Sequence, residues 1–235
     1  MDFFVEQSVF ARFPKVCIGI VVVENLNNVG SNASVTKFRE SCEDSAFQSF
    51  RNQDLNAHPN LRIWRDVFRQ MENVPKQAVC SVESLLTRVL KTGGLRPINK
   101  LVDLVNAVSL EQLVPMGAHD LKNTQGYLCI RQARPGDRFT LLNDTKSVPV
   151  PTGEIVYADE REVHTRVWVW QQGDQGKVTS STTNAFCPID GFSDVTMPSV
   201  LNARDRLASL VSMYFPTSKT KLYSVDSLHP RTTLE

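Results

Sequence analysis

Residues 15–26, KVCIGIVVVENL, form an unbroken apolar and β-branched run, the pattern of a strand buried on both faces. The Asn- and Gly-rich stretch NLNNVGSN (25–32) predicts a loop. From a cap at Ser34, the residues Val35, Phe38, Cys42, Ala46 and Phe50 recur at helical spacing. A second helix over 60–72 buries Leu61, Trp64, Phe68 and Met71, and a third, SVESLLTRVLK, is capped by Ser81 and closed by Gly93-Gly94. The stretch LRPINKLVDLVNAVSLEQLVPMGAHDL (95–121) gives a fourth, with Leu101, Leu104, Val105 and Val108 facing inward and Pro115 as its stop. Asn106 and Ser109 interrupt its apolar run, and Gly117, His119 and Asp120 follow its end.

After Asp120 the period changes. GYLCIRQAR, RFTLLND, GEIVYAD, HTRVWVWQQ and KVTSSTTNAF are short β-rich segments, and PGD, PTG and GDQG punctuate them as turns. Strict alternation in HTRVWVWQQ puts Arg166, Trp168, Trp170 and Gln172 on one face of a strand. A last helix from Ser199 to Tyr214 presents Leu201, Leu207, Leu210 and Val211. The tail 217–235 is polar and is expected to be mobile, with the terminal Leu234-Glu235 read as an added remnant. Helices, then a meander of strands, then a helix predict one α+β domain over 1–235, an antiparallel β-rich core with flanking helices.

Composition narrows the chemistry. The net charge is +1, which argues against a strong non-specific nucleic-acid binder and against DNA as a partner, while leaving room for a local basic face. Arg131, Arg134 and Arg138 form one loose basic group, and Lys91, Arg96 and Lys100 another. The five cysteines are scattered without a CxxC, which points to reduced thiols and a cytoplasmic setting. The four histidines show no HxH or HExxH spacing, so no metal is implied. No apolar run reaches the roughly 20 residues of a membrane span, and MDFFVEQSVFARFPK has no secretory pattern.

GLRPINKLVDLVNAVSLEQLVPMGAHDL resembles the signature of the editing module, called B-three/B-four, in the β subunit of bacterial phenylalanyl-tRNA synthetase. Arg96, Ile98, Asn99, Asp103, Asn106, Pro115, Met116, Ala118 and Asp120 fall on that signature without a gap. IRQARPGDRFTLLND followed by GEIVYAD is similar to the module's Arg-x-Ala-x-x-Gly-Glu strand pair. The likeness covers about residues 93–190. It implies the editing-module fold and a cofactor-free deacylase that acts in trans on mischarged aminoacyl-tRNA. One free-standing branch is associated with arginine tRNA carrying the arginine analogue canavanine. Three departures stand out. Gly117 occupies the place of a His that follows Pro-Met in the synthetase. Cys187-Pro188 falls where the module keeps an editing Glu. WVWQQGDQG replaces a Gly-rich turn.

Deacylation needs a positioned water, donors for the oxyanion and a pocket for the side chain, and it needs no metal or covalent nucleophile. Asn106 can hold that water or the substrate carbonyl, or it can brace the following loop. Ser109 can serve the site or cap the helix end. Backbone N–H groups around Met116, Gly117 and Ala118 are candidate oxyanion donors, since Gly permits close approach. His119 is a candidate general base through its ordinary pKa of ~6.5. Asp120 can bind substrate or close an Asx turn. Trp168, Trp170 and Gln172 are candidates for the pocket wall, with core packing as the alternative for the tryptophans. A guanidinium-type ligand requires a facing carboxylate, and the available acids are Asp174, Asp190, Glu154 and Asp120, the first two ranked ahead. Arg96, Lys100, Arg131 and Arg134 are the candidates for tRNA contact. A non-catalytic module that binds aminoacyl-tRNA or a free amino acid is the competing reading, and oligomeric state is open.

Overall fold

The chain runs β1 (Asp2–Val5), α1 (Gln7–Arg12), β2 (Val16–Glu24), α2 (Ala33–Phe50), α3 (Pro59–Gln70), α4 (Ser81–Thr92) and α5 (Lys100–Gln112) in a computed structural model that describes residues 1–234. It continues through β3 (His119–Asp120), β4 (Leu128–Gln132), β5 (Arg138–Thr140), β6 (Ser147–Pro149), β7 (Ile155–Ala158), β8 (Val163–Arg166), β9 (Gln171–Gln172) and β10 (Ala185–Phe192). α6 (Met197–Tyr214), β11 (Lys219–Asp226) and β12 (Arg231–Thr233) complete it. This is an α+β fold. One sheet has the order β11-β2-β10-β3, a second β12-β1-β4-β7-β8-β9, and β5-β6 form a small ribbon. Among the described residues, all strand pairings are antiparallel except that of β1 with β4.

β2 is buried along nearly its whole length, as its continuous apolar run predicts. α6 crosses β2 and β10, and the space beside Gly191 is what admits it: a Cβ there would meet Val200 Cγ2 at 2.4 Å. Trp64, Phe68, Leu61 and Met71 pack into the core with Phe3, Trp168 and Phe192, so the early helices cover the sheet.

Three helix ends differ from expectation. Asn32, not Ser34, caps α2, accepting from the N–H groups of Ser34 at 2.9 Å and Val35 at 3.3 Å. Ser81 is the first residue of α4 rather than its cap; its N–H donates to Val169 O at 2.8 Å. α5 ends at Leu113, which takes a left-handed φ of 52°, two residues before Pro115. Buried Ser109 ties that end down, its Oγ donating to Val114 O at 2.6 Å.

The tail is not mobile polar chain. β11 pairs with β2 from Lys219↔Glu24 to Asp226↔Cys17, and β12 pairs with β1. β2 presents two long edges; β10 takes one, and the tail covers the other. Leu234 is buried, and its N–H donates to Met1 O at 2.8 Å, whereas Glu235 lies outside the described residues. The expected strand over 177–186 shrinks to its last two residues, and 177–184 forms a looped strip.

Candidate active site

The two main sheets meet at Asp190 of β10. Its Oδ1 accepts from Tyr157 Oη of β7 at 2.7 Å and from Trp168 Nε1 at 2.9 Å. Asp190 is 2% exposed and forms no ion pair with a described residue. Burial therefore pushes its carboxyl up to about 7, against the lowering effect of the two donors. Burial and the neighbouring Asp190 together push the Tyr157 hydroxyl well above its ordinary value, so it stays a donor. Asp190 Oδ2 accepts no hydrogen bond from another described residue. Asp190 lines an inner cavity of about 60 Å³, whose other walls include Ser81, Gly117, His119, Thr165, Trp168 and Trp170.

Trp168 reaches this floor because the expected continuous strand does not form. β8 stops at Arg166, Val167 and Trp168 adopt φ of 47° and 60°, and the chain reverses into β9, antiparallel to β8. A left-handed Val is costly, of order 1–3 kcal/mol. Fully buried Glu154 holds the turn: it accepts from Arg166 Nε at 2.9 Å, Arg166 Nη2 at 2.6 Å and Val167 N–H at 3.0 Å. Glu154 is thus spent on the turn and does not line the cavity. Glu154→Gln breaks a buried ion pair and should cost about 3 kcal/mol; thermal denaturation and the near-ultraviolet signal of Trp168 measure it.

His119 forms another wall. It is buried, and burial, with a smaller contribution from neighbouring His164, lowers its pKa to about 3. The imidazole is neutral across the physiological range and is a weak proton acceptor, because burial disfavours its charged form. Its ring lies 5.8 Å from that of Tyr157 and 5.7 Å from that of His164. His164 Nε2 is 3.0 Å from Asp159 Oδ2, and this contact helps to lower the Asp159 carboxyl to about 2 against the raising effect of burial.

The inner cavity shares Met116, Gly117 and Gln172 with an outer groove of about 460 Å³. Asn106 of α5 stands on this groove, half-buried, and its amide bonds to no other described residue. It does not brace the loop. Asn28 and Asn99 do the bracing: Asn28 Nδ2 donates to Asn99 Oδ1 at 2.9 Å and to Thr179 O at 2.8 Å, and Asn99 Nδ2 donates to Val178 O at 3.1 Å. These bonds tie the 25–32 loop, the start of α5 and the 177–180 strip into one frame. Gly117 N–H is not a free donor, because it bonds Pro188 O at 3.1 Å. Backbone alternation turns the N–H groups of Met116 and Ala118 to the opposite edge, where neither bonds to a described residue.

Gly117 has another use. A Cβ there would lie 3.5 Å from His119 Nε2 and 3.6 Å from Pro188 Cγ, ordinary contact distances. A larger side chain is therefore tolerated at its root, beside both the inner cavity and the outer groove. Restoring the His of the synthetase signature, Gly117→His, should therefore leave the fold intact, with thermal stability unchanged within ~0.5 kcal/mol.

The remaining candidates divide by their partners. Asp120 is a turn residue: it accepts from Lys122 N–H at 2.9 Å and Thr182 Oγ1 at 2.6 Å. Asp174 lies at the groove rim, bonded to Asn143 N–H at 2.9 Å and Lys177 Nζ at 2.7 Å, and so sets two groove-lining residues without entering either cavity. Gln172 Nε2 donates to Ala118 O at 2.9 Å and joins the groove wall to the free-edged strand. Arg131 is buried, with Nη2 on Asp137 Oδ1 at 3.0 Å, and offers nothing to a partner. Arg134 is exposed but paired with Glu6 at 2.6 Å, and Lys100 sits 5.3 Å over the Phe215 ring. Arg96 is exposed. Sequence reasoning passed over Tyr157, Ser81, Thr165 and Lys177. Only Tyr157 left a trace there, as a hydroxyl inside an otherwise apolar strand.

The model of the B3/4 domain matches residues 63–215. The chain belongs to the B3/4 domain family. The matched span is wider than the 93–190 stretch of the sequence likeness and takes in most of α3 and all of α4 and α6. Relatives of this B3/4 domain include the phenylalanine–tRNA ligase β subunit of Idiomarina loihiensis, 36% identical over 101 residues, which are 43% of this chain and 12% of that one. The corresponding subunit of Corynebacterium jeikeium is 25% identical over 192 residues, 76% of this chain and 22% of that one. The B3/4 domain thus spans about a fifth or less of the length of these relatives. Among solved structures, an N-terminal fragment of the phenylalanyl-tRNA synthetase β subunit from Pyrococcus horikoshii aligns with a TM-score of 0.47 and 11% identity, over 94% of this chain and 53% of that one. Among the described residues, no helix is long and apolar enough to cross a membrane.

Proposed function

We propose that this B3/4 domain is a hydrolase that acts in trans on mischarged aminoacyl-tRNA, releasing the amino acid by water attack on its ester. The side chain it selects is cationic and of guanidino type, and canavanyl-tRNA(Arg) is the candidate substrate. In this reading residues 1–235 work as one unit in the cytoplasm, with tRNA as partner and without cofactor, DNA or membrane. The observation that carries the proposal is the buried Asp190 carboxylate, one oxygen unbonded, at the floor of a cavity that shares Met116, Gly117 and Gln172 with the Asn106 groove. A pocket for an aromatic side chain has no use for such a group, because a buried unpaired carboxylate is costly.

The proposed chemistry follows from position. The side chain passes Gly117 into the inner cavity, where its guanidino group meets Asp190 Oδ2 and lies against Trp168 and Trp170. The ester stays in the outer groove. There the Asn106 amide orients the water or the carbonyl, and the N–H groups of Met116 and Ala118 face the developing oxyanion. With His119 neutral, the vicinal ribose hydroxyl of the substrate relays the proton. A panel of tRNAs carrying different amino acids tests this reading. Release above the buffer rate is expected for at least one with a cationic side chain, and no release from any member would sink it. Gly117 and Cys187-Pro188, in place of the synthetase signature's His and Glu, favour one competitor, a module that binds without turnover; it predicts thermal stabilisation by the ligand and no released product.

A further inference from the structure

We infer that the groove along the C-terminal half of α4 is the docking surface for the phosphate backbone of the tRNA whose charged end enters the site. The inference rests on the reading above for its partner. The groove encloses about 1200 Å³ and is lined by Arg88, Lys91 and Arg96, all three exposed. Arg88 and Lys91 are three residues apart and so share one face of α4. Arg96 faces them across the Gly93-Gly94 turn, where Gly93 takes the left-handed φ of 83° that ends the helix.

Charge decides the occupant. None of the three cations forms an ion pair or a side-chain hydrogen bond with another described residue. The acids nearest the groove are already taken. Glu83 is buried and accepts from Arg65 Nε at 3.0 Å. Glu43, which approaches Gly94, is buried against Arg39 at 3.3 Å. The lining is therefore a concentration of unneutralised positive charge on a chain whose net charge is only +1.

Its location fits an RNA that feeds the site. Leu95, Arg96 and Pro97 line the α4 groove, and the next residues, Ile98 and Asn99, line the outer groove that holds Asn106. Ile98 is 63% exposed between the two. A strand with its phosphates on Arg88, Lys91 and Arg96 is one short step from the ester site. This set replaces Lys100, Arg131 and Arg134, which are engaged elsewhere.

The test uses the full chain and its Arg88→Glu/Lys91→Glu/Arg96→Glu variant, with Arg96→Gln as a milder second variant. Anisotropy with uncharged tRNA across a salt series should show at least tenfold weaker binding by the triple variant. The slope of log affinity against log salt should fall by about 2–3, as expected for three lost phosphate contacts. Hydrolysis of charged tRNA should show a raised KM with kcat retained, and hydrolysis of aminoacyl-adenosine should not change. Unchanged tRNA affinity and salt slope, or no tRNA binding by the unmodified chain, overturns the inference. Groove-dependent tRNA binding without turnover on any charged tRNA would sink the hydrolase reading and leave this surface standing.

Discussion

Asp190→Asn is expected to abolish release of a guanidino-type amino acid from tRNA and, at the same time, to make the free protein more stable above pH 7. The two effects share one cause. In the proposed complex the carboxylate is the counter-charge for a desolvated cation, and removing one partner of such a pair costs about 2–5 kcal/mol, or at least 10²-fold in kcat/KM in the middle of that range. In the free protein the same group is a liability. Its folded pKa is raised from 3.8 to about 7 by burial. The folded state thus holds its proton more tightly than the unfolded chain does. The stability that protonation supplies is fully present below pH ~4 and is lost as pH rises through about 7. The amide of the Asp190→Asn variant carries no charge at any pH and keeps an acceptor for Tyr157 and Trp168. The variant's melting temperature should exceed that of the unmodified protein at pH 8, with the advantage vanishing near pH 4. Melting curves across this range, beside deacylation rates, check both halves.

Asn106→Ala is expected to show the second largest effect on turnover with almost none on stability. The Asn106 amide lines the outer groove and bonds to no other described residue, so the folded protein loses no internal bond with it. Changes at such positions usually stay within ~0.5 kcal/mol. If the amide orients the attacking water or the ester carbonyl, turnover should drop by about 10²-fold, the scale seen when one transition-state donor is removed. A bracing residue would behave oppositely, lowering the melting temperature and leaving the rate per folded molecule unchanged. Asn99→Ala supplies that contrast, since Asn99 holds Val102 N–H at 3.0 Å and Val178 O at 3.1 Å.

How much of this was legible in the sequence depends on the range of the forces involved. The apolar faces of α3, α4 and α5 and the all-buried β2 follow from periodicity, because each is set by burial of one face. The delivery of Asn106 was visible as a polar residue in an apolar run. The turn at 167–170 was not. Alternation in HTRVWVWQQ predicts a strand, and what overrides it is Glu154, twelve residues upstream, bonding Arg166 and Val167. The role of the tail was hidden for a related reason: a polar alternating segment becomes an edge strand only when a buried strand offers it an edge, as β2 does for β11. The acids show the same limit. Asp174 and Asp190 flank one segment and look equivalent in sequence. Pairing across sheets separates them, Asp190 with Tyr157 and Trp168 at the cavity floor, Asp174 with Lys177 at the rim.

The central claim is that Asp190 makes this site select a cation. The most direct measurement compares deacylation of two substrates on the same tRNA, one carrying a guanidino-type amino acid and the other phenylalanine or tyrosine. A preference of at least 10²-fold for the cationic substrate, lost in Asp190→Asn, is predicted. Equal rates on both, or faster release of the aromatic residue, would contradict it.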